Sequence, residues 1–150
     1  MANTFTSLHY HIVFSTKSRQ RWLAPDIAED LWSYIGGICR AHQCKALQIG
    51  GVEDHVHLLI GMTPTLALSD LVKRIKGESS RWLSSERQGM AEFSCQDGYG
   101  AFTLGKSQVR KTVQYILNQA KHHRRESFEA EFKKFLFVHE IEAEERYMFG

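Results

Sequence analysis

The sequence predicts an α+β fold: an antiparallel sheet with helices packed on one face, followed by a further helix that carries a tyrosine. Three observations point there. Leu8 to Ser15 (LHYHIVFS) is rich in aromatic and β-branched residues and alternates, as a half-buried strand does. His55 to Met62 (HVHLLIGM) alternates again, with Val56, Leu58, Ile60 and Met62 on one side. Between and after them, apolar residues recur at helical spacing. The resulting order, β-α-β-β-α-β, is the split βαβ pattern of ferredoxin-like domains, and 150 residues suit a single domain spanning 1–150.

The elements follow in order. After the first strand comes a polar loop with Lys17, Arg19 and Arg21, and Pro25 then opens a helix with Ile27, Leu31, Tyr34, Ile35 and Ile38 on its apolar stripe. Gly36-Gly37 inside it suggests a close helix crossing. A second strand runs from about Cys44 to Ile49, turns at Gly50 to Asp54, and leads into the third strand. A second helix follows Pro64 and buries Leu68, Leu71, Val72, Ile75, Trp82 and Leu83. Residues 84–100 read as loop and Ala101 to Leu104 as a short fourth strand. Ser107 fits the N-cap of a third helix running to about His123, and Phe128, Phe132, Phe135 and Leu136 mark a fourth, amphipathic one.

A hydrophobic fraction of 43% argues against disorder. No apolar run approaches a membrane span, and the start MANTFTSLHYH lacks a signal-peptide core. Cys39, Cys44 and Cys95 form no CxxC pair, so reduced thiols in a cytoplasmic protein are expected. The net charge is +2, but residues 1–125 hold 16 basic and 10 acidic groups while residues 126–150 hold 3 and 7. A basic body with an acidic tail suits a polyanionic partner.

Two places could do chemistry. In the third strand His55, His57 and Leu59 point to the sheet face away from the predicted helices, where two imidazoles two residues apart can reach one metal ion. The first strand repeats the spacing at His9 and His11, and local pattern does not choose between the pairs. On the third helix, Lys111, Tyr115, Gln119 and His122 share a side. A phenol is a possible phosphate-attacking nucleophile, and a glutamine carbonyl one turn later can ligate a hard cation. Read singly, each of these residues also fits a structural or solvated role.

Together they resemble the small single-tyrosine transposases of bacterial insertion sequences, the insertion-sequence-200/605 kind. His55-Val56-His57 matches that family's His-hydrophobe-His metal motif, and Tyr115-Ile116-Leu117-Asn118-Gln119 its Y-I-x-x-Q nucleophile helix. The stretches HIVFSTKSR, LVKRIKGESSRWL, GYGAFTL and EERYMF are similar too. The resemblance implies that His55, His57 and Gln119 hold one divalent cation, Mg²⁺ or Mn²⁺, with imidazoles favouring Mn²⁺. It implies that Tyr115 attacks a phosphodiester of single-stranded DNA beside a hairpin, leaving a 5′-phosphotyrosine and a free 3′-hydroxyl that a later step rejoins. It also implies a homodimer sharing its sites between subunits, acting at the nucleoid, with Gly105 as a candidate hinge.

Candidate DNA contacts are Lys73, Arg74, Lys76 and Arg81 on the second helix and Lys121, His122, Arg124 and Arg125 after the tyrosine. Three rivals remain: a domesticated relative acting on repeat hairpins with the same chemistry; a nucleic-acid binder stacking bases on Tyr10 or Phe14; and a zinc hydrolase, which needs a third strong ligand.

Overall fold

A computed structural model describes residues 3–149. Four strands, β1 (His9–Ser15), β2 (Lys45–Val52), β3 (His55–Gly61) and β4 (Gly100–Leu104), form one sheet in the order β2-β3-β1-β4. Every pairing is antiparallel. Between strands run α1 (Pro25–Ala41) and α2 (Leu68–Glu86), as the split βαβ order requires.

Alternation in the strands decides what each face meets. Ile12 and Phe14 of β1 and Val56, Leu58 and Ile60 of β3 join Leu31, Ile35, Ile38, Leu71, Val72, Ile75 and Leu83 of α1 and α2 in the main core. Tyr10 packs against that core as well. Tyr10 and Phe14 therefore face α1 and α2, which removes the base-stacking platform they would form on an open sheet. Cys39 and Cys44 are buried there as free thiols.

The opposite face is closed by the last third of the chain: α3 (Val109–Leu117), the short α4 (Gln119–His122) and α5 (Phe128–Val138), with α6 (Glu145–Met148) beyond. Val13 and Phe102 of the sheet form a second core with Phe128, Phe132 and Leu136 of α5. Two glycines allow these helices so close. A Cβ at Gly50 would meet Ile116 Cγ2 at 2.8 Å and Ile116 O at 3.0 Å. One at Gly100 would meet the Phe132 ring at 2.6 Å. Both positions need glycine because a helix backbone or aromatic ring fills the space a side chain would take.

Four sequence expectations change. β2 extends to Val52, through both glycines of the expected turn, with a register shift between Ala46 and Gln48. Ser107 is not an N-cap; a 3₁₀ turn over Lys106–Gln108 begins the segment, and the Gly105 N–H donates to Gln108 Oε1 at 3.0 Å. The single helix expected to reach His123 is interrupted at Asn118. Gly36 and Gly37 mark no close crossing, since a Cβ there would meet only the end of the flexible Arg40 side chain, at 3.5 Å or more.

Candidate active site beneath the C-terminal helices

Register brings the site residues together on one sheet face. Val13 lies opposite His57, His11 opposite Leu59 and Ser15 opposite His55, so His11 and His57 are diagonal neighbours. His55 and His57 are fully buried under α3, α4 and α5, not on an open face. His9 is at the outer end of β1, where its Nδ1 lies 3.4 Å from Ser7 Oγ. The structure thus splits the first H-x-H pair: His11 joins His57, and His9 stays at the strand end.

Gly50 lets Ile116 seat on the sheet, and that contact carries Tyr115 towards the histidines. The Tyr115 and His57 rings are 5.8 Å apart. Gln119, 1% exposed, directs Oε1 to His55 Nε2 at 3.1 Å. Within one chain, then, Tyr115, Gln119, His55 and His57 converge.

They converge on a residue that sequence reasoning missed. Glu131 is 2% exposed and lies on α5, whose N-cap Ser127 accepts from the Ala130 N–H at 3.2 Å. Its Oε1 is 3.0 Å from His57 Nε2, 3.1 Å from His123 Nε2 and 3.5 Å from His55 Nε2. Its Oε2 accepts the Tyr115 hydroxyl and lies 3.4 Å from Gln119 Nε2. A signal was present. Phe128, Phe132, Phe135 and Leu136 form a helical stripe, and Glu131 occupies its remaining position. An acid inside an apolar stripe must find a partner or stay out of the core. Asp54, directly before His55, was missed too; its Oδ1 lies 2.7 Å from His55 Nδ1.

These atoms suit a cation. His55, His57, His123 and Glu131 each offer a ligand atom, all within 4.8 Å of one another. His55 Nδ1 is engaged by Asp54, and the His123 Nδ1–H donates to the Glu126 carbonyl at 2.6 Å, which leaves each Nε2 facing inward. His123 Nε2 lies near Glu131 but off the line a hydrogen bond needs, so this buried nitrogen has no hydrogen-bond partner among the described residues. Imidazole lone pairs, an amide oxygen and a carboxylate crowded together repel one another unless protons or a metal ion lie between them.

Electrostatics follow from burial. Desolvation lowers His57 to about 4, against the pull of Glu131, and lowers His11 to about 3. Desolvation would raise Glu131, but the close His123 imidazole and the hydrogen-bonded His57 outweigh it and hold the carboxyl far below its ordinary range. His123 is raised, because Glu131 outweighs its desolvation. Burial, then the Glu131 hydrogen bond and charge, push the Tyr115 phenol well above its usual value. Ionising this phenol therefore requires positive charge nearby.

Tyr115 borders two cavities. One, of about 830 Å³, is lined by Lys121, His122, Arg125 and Lys134 among others. The other, of about 490 Å³, lies along His11, Phe102, Lys111 and Phe135. Arg124, the residue before Arg125, is exposed. The α2 candidates lie in the layer on the far side of the sheet: Lys73, Arg74 and Arg81 are exposed there, and Lys76 donates to the Gln96 and Gly98 carbonyls. Among the described residues no helix is long and apolar enough to cross a membrane.

The sequence profile described as "Transposase IS200 like" matches residues 4–119. The ISDra2 transposase TnpA of Deinococcus radiodurans is 34% identical over 74 residues, 49% of this chain. That match spans 53%, about half, of the relative's length. The transposase for insertion sequence element IS200 of Salmonella typhimurium is 28% identical over 125 residues, covering 79% of this chain and 81% of that one. A solved structure described as a candidate transposase from D. radiodurans R1 has a TM-score of 0.63 at 27% identity, over 79% of this chain and 95% of that chain. The structure of a REP-associated tyrosine transposase bound to a REP hairpin has a TM-score of 0.60 at 14% identity, over 81% and 73%, a likeness of fold alone.

Proposed function

As the chain belongs to the IS200-like transposase family, we propose that it is a single-domain DNA strand transferase that cuts and rejoins single-stranded DNA through Tyr115. The observation that carries this reading is the convergence of the Tyr115 hydroxyl, two strand histidines and the Gln119 carbonyl around Glu131. His55, His57 and Gln119 hold a divalent cation, Mg²⁺ or Mn²⁺, with Glu131 and His123 as further ligands, and the imidazoles favour Mn²⁺. The bound ion would polarise a non-bridging phosphate oxygen and offset charge developing at phosphorus.

Tyr115 Oη attacks the phosphorus as the P–O3′ bond breaks, forming a 5′-phosphotyrosine, and the departing 3′-oxygen takes a proton from solvent to become a 3′-hydroxyl. Glu131 Oε2 already accepts the phenolic hydrogen bond and is the group positioned to take that proton. The ester retains the bond energy, so a 3′-hydroxyl can reverse the step without a nucleotide cofactor. Lys121, His122, Arg125 and Lys134, around the larger cavity, and Arg124, the residue before Arg125, steer the phosphate backbone towards Tyr115. Lys73, Arg74 and Arg81 lie too far round the fold for that task and contact flanking DNA instead.

The DNA partner is a single strand carrying a hairpin, supported by the hairpin bound to the REP-associated neighbour. The working unit is a homodimer in which the tyrosine helices, hinged after Gly105, exchange between subunits. A domesticated enzyme acting on repeat hairpins would use the same residues. A second reading, zinc hydrolysis, gains from His123 and Glu131, which supply the strong ligands it requires. Incubation with labelled single-stranded hairpin DNA and Mn²⁺, then a denaturing gel, decides between them. The transferase leaves a covalent protein–DNA adduct that Tyr115→Phe abolishes; hydrolysis without adduct overturns the reading.

A further inference from the structure

The proposed chemistry leaves a buried titratable residue unused. His11 is 6% exposed, and its Nε2 lies 2.8 Å from His57 Nδ1. Its ring also stands edge-on to Tyr115, with centroids 6.1 Å apart at 73°, and to Phe135, at 5.2 Å and 89°. We propose that His11 is a positioning residue, which holds His57 by Nδ1 so that Nε2 stays aimed at the cation site, and spaces that ligand from Tyr115. This rests on the reading of His57 as a metal ligand.

The choice of an imidazole for this task has a physical reason. Without a cation, His57 Nε2 faces the Glu131 carboxylate at 3.0 Å, which favours a proton on Nε2 and a lone pair on Nδ1. With a cation on Nε2 the lone pair must be there, so the proton sits on Nδ1. The outer partner must therefore donate to Nδ1 in one state and accept from it in the other. A carboxylate only accepts, whereas a neutral imidazole does either by exchanging its own tautomer. His55, by contrast, is held at Nδ1 by the Asp54 carboxylate, 2.7 Å away. Asp54 commits His55 to one tautomer; His11 keeps His57 oriented in both. The register of β1 on β3 makes this contact possible, since His11 and His57 are diagonal on one face.

The test substitutes Co²⁺ for the native ion and reads its visible spectrum and dissociation constant, with circular dichroism and melting temperature as folding controls. His11→Leu, which can neither accept nor donate, is expected to weaken Co²⁺ binding about 10- to 100-fold and alter the spectrum. His11→Gln, whose amide can turn either its oxygen or its nitrogen to His57, is expected to return most of the affinity and the wild-type spectrum. Wild-type affinity and spectrum in His11→Leu, with His57→Ala failing to bind, would overturn the positioning role alone. Unaltered Co²⁺ binding in His57→Ala would instead overturn the metal reading beneath it. If the Leu variant does not fold, ring-nitrogen NMR of the wild type decides. His57 is expected to carry its proton on Nε2 without metal and on Nδ1 when Zn²⁺ is bound. A proton on His57 Nε2 in the Zn²⁺ state overturns the metal reading, whereas a His11 proton that stays on the same ring nitrogen in both states refutes the positioning role.

Discussion

The Glu131 carboxylate meets Tyr115 with one oxygen and His57 with the other: Oε2 accepts the phenol, and Oε1 lies 3.0 Å from His57 Nε2. One side chain from the C-terminal part of the chain thus joins the proposed nucleophile to the proposed metal ligand. Glu131 and His123 lie beyond residue 119, where the family match ends.

Glu131→Gln preserves shape but removes the charge, and Glu131→Ala removes both. The Gln variant is expected to bind Mn²⁺ at least about tenfold more weakly, roughly 1.4 kcal/mol. The Ala variant is expected to lose about 3 kcal/mol of stability, because His57 and His123 lose a buried partner. Calorimetric Mn²⁺ titration and urea unfolding check both, and wild-type affinity in Glu131→Gln would remove Glu131 from the ligand set.

Chelation is expected to stop adduct formation, and Mn²⁺ or Mg²⁺ to restore it. His55→Ala should abolish activity at any practical metal concentration, since His55 is fully buried and faces Gln119. His9→Ala should keep activity within a few-fold, because His9 lies at the sheet's outer end beside Ser7. Quantified adduct bands provide the comparison, and equal loss in both variants contradicts the assignment.

The metal-free protein should lose stability as pH falls below about 6.5. His57 is held to about 4 and His11 to about 3, against 6.5 when free, so the unfolded chain binds protons that the native state refuses. Their contribution is fully present above pH 6.5 and declines by about 1.4 kcal/mol per unit per group down to the folded values. The depressed Glu131 carboxyl adds a loss that begins only near pH 4.5, while the raised His123 opposes the trend at the start. Urea midpoints from pH 7.5 to 4 measure this, and a flat profile would contradict the buried neutral state.

Mixing His57→Ala with Tyr115→Phe tests exchange of the tyrosine helix. Each is expected to be inactive alone, and exchange through Gly105 leaves one intact site in each heterodimer, so cleavage should return in part. Within a single chain Tyr115 already reaches its own His57, with ring centroids 5.8 Å apart. No recovery after demonstrated subunit mixing would confine the site to one chain.

Local period made much of this legible in the sequence. Alternation in HVHLLIGM put Val56, Leu58 and Ile60 in the main core and His55 and His57 on the opposite face, and helical spacing put Tyr115 one turn before Gln119. Such patterns are readable because they depend on neighbours a few residues apart. Only the tertiary structure decided that His11, rather than His9, meets His57, since strand register is a contact across 46 residues. It alone closed the histidine face with α3 and α5, docked where Gly50 and Gly100 leave room for Ile116 and Phe132. And it alone showed what Glu131 meets: its place in the phenylalanine stripe is readable, but a carboxylate 74 residues from His57 has no local signature of its partner. Its place was set by the burial of the phenylalanines around it, which carried the charge under the sheet's histidines, where their ring nitrogens could pair with it.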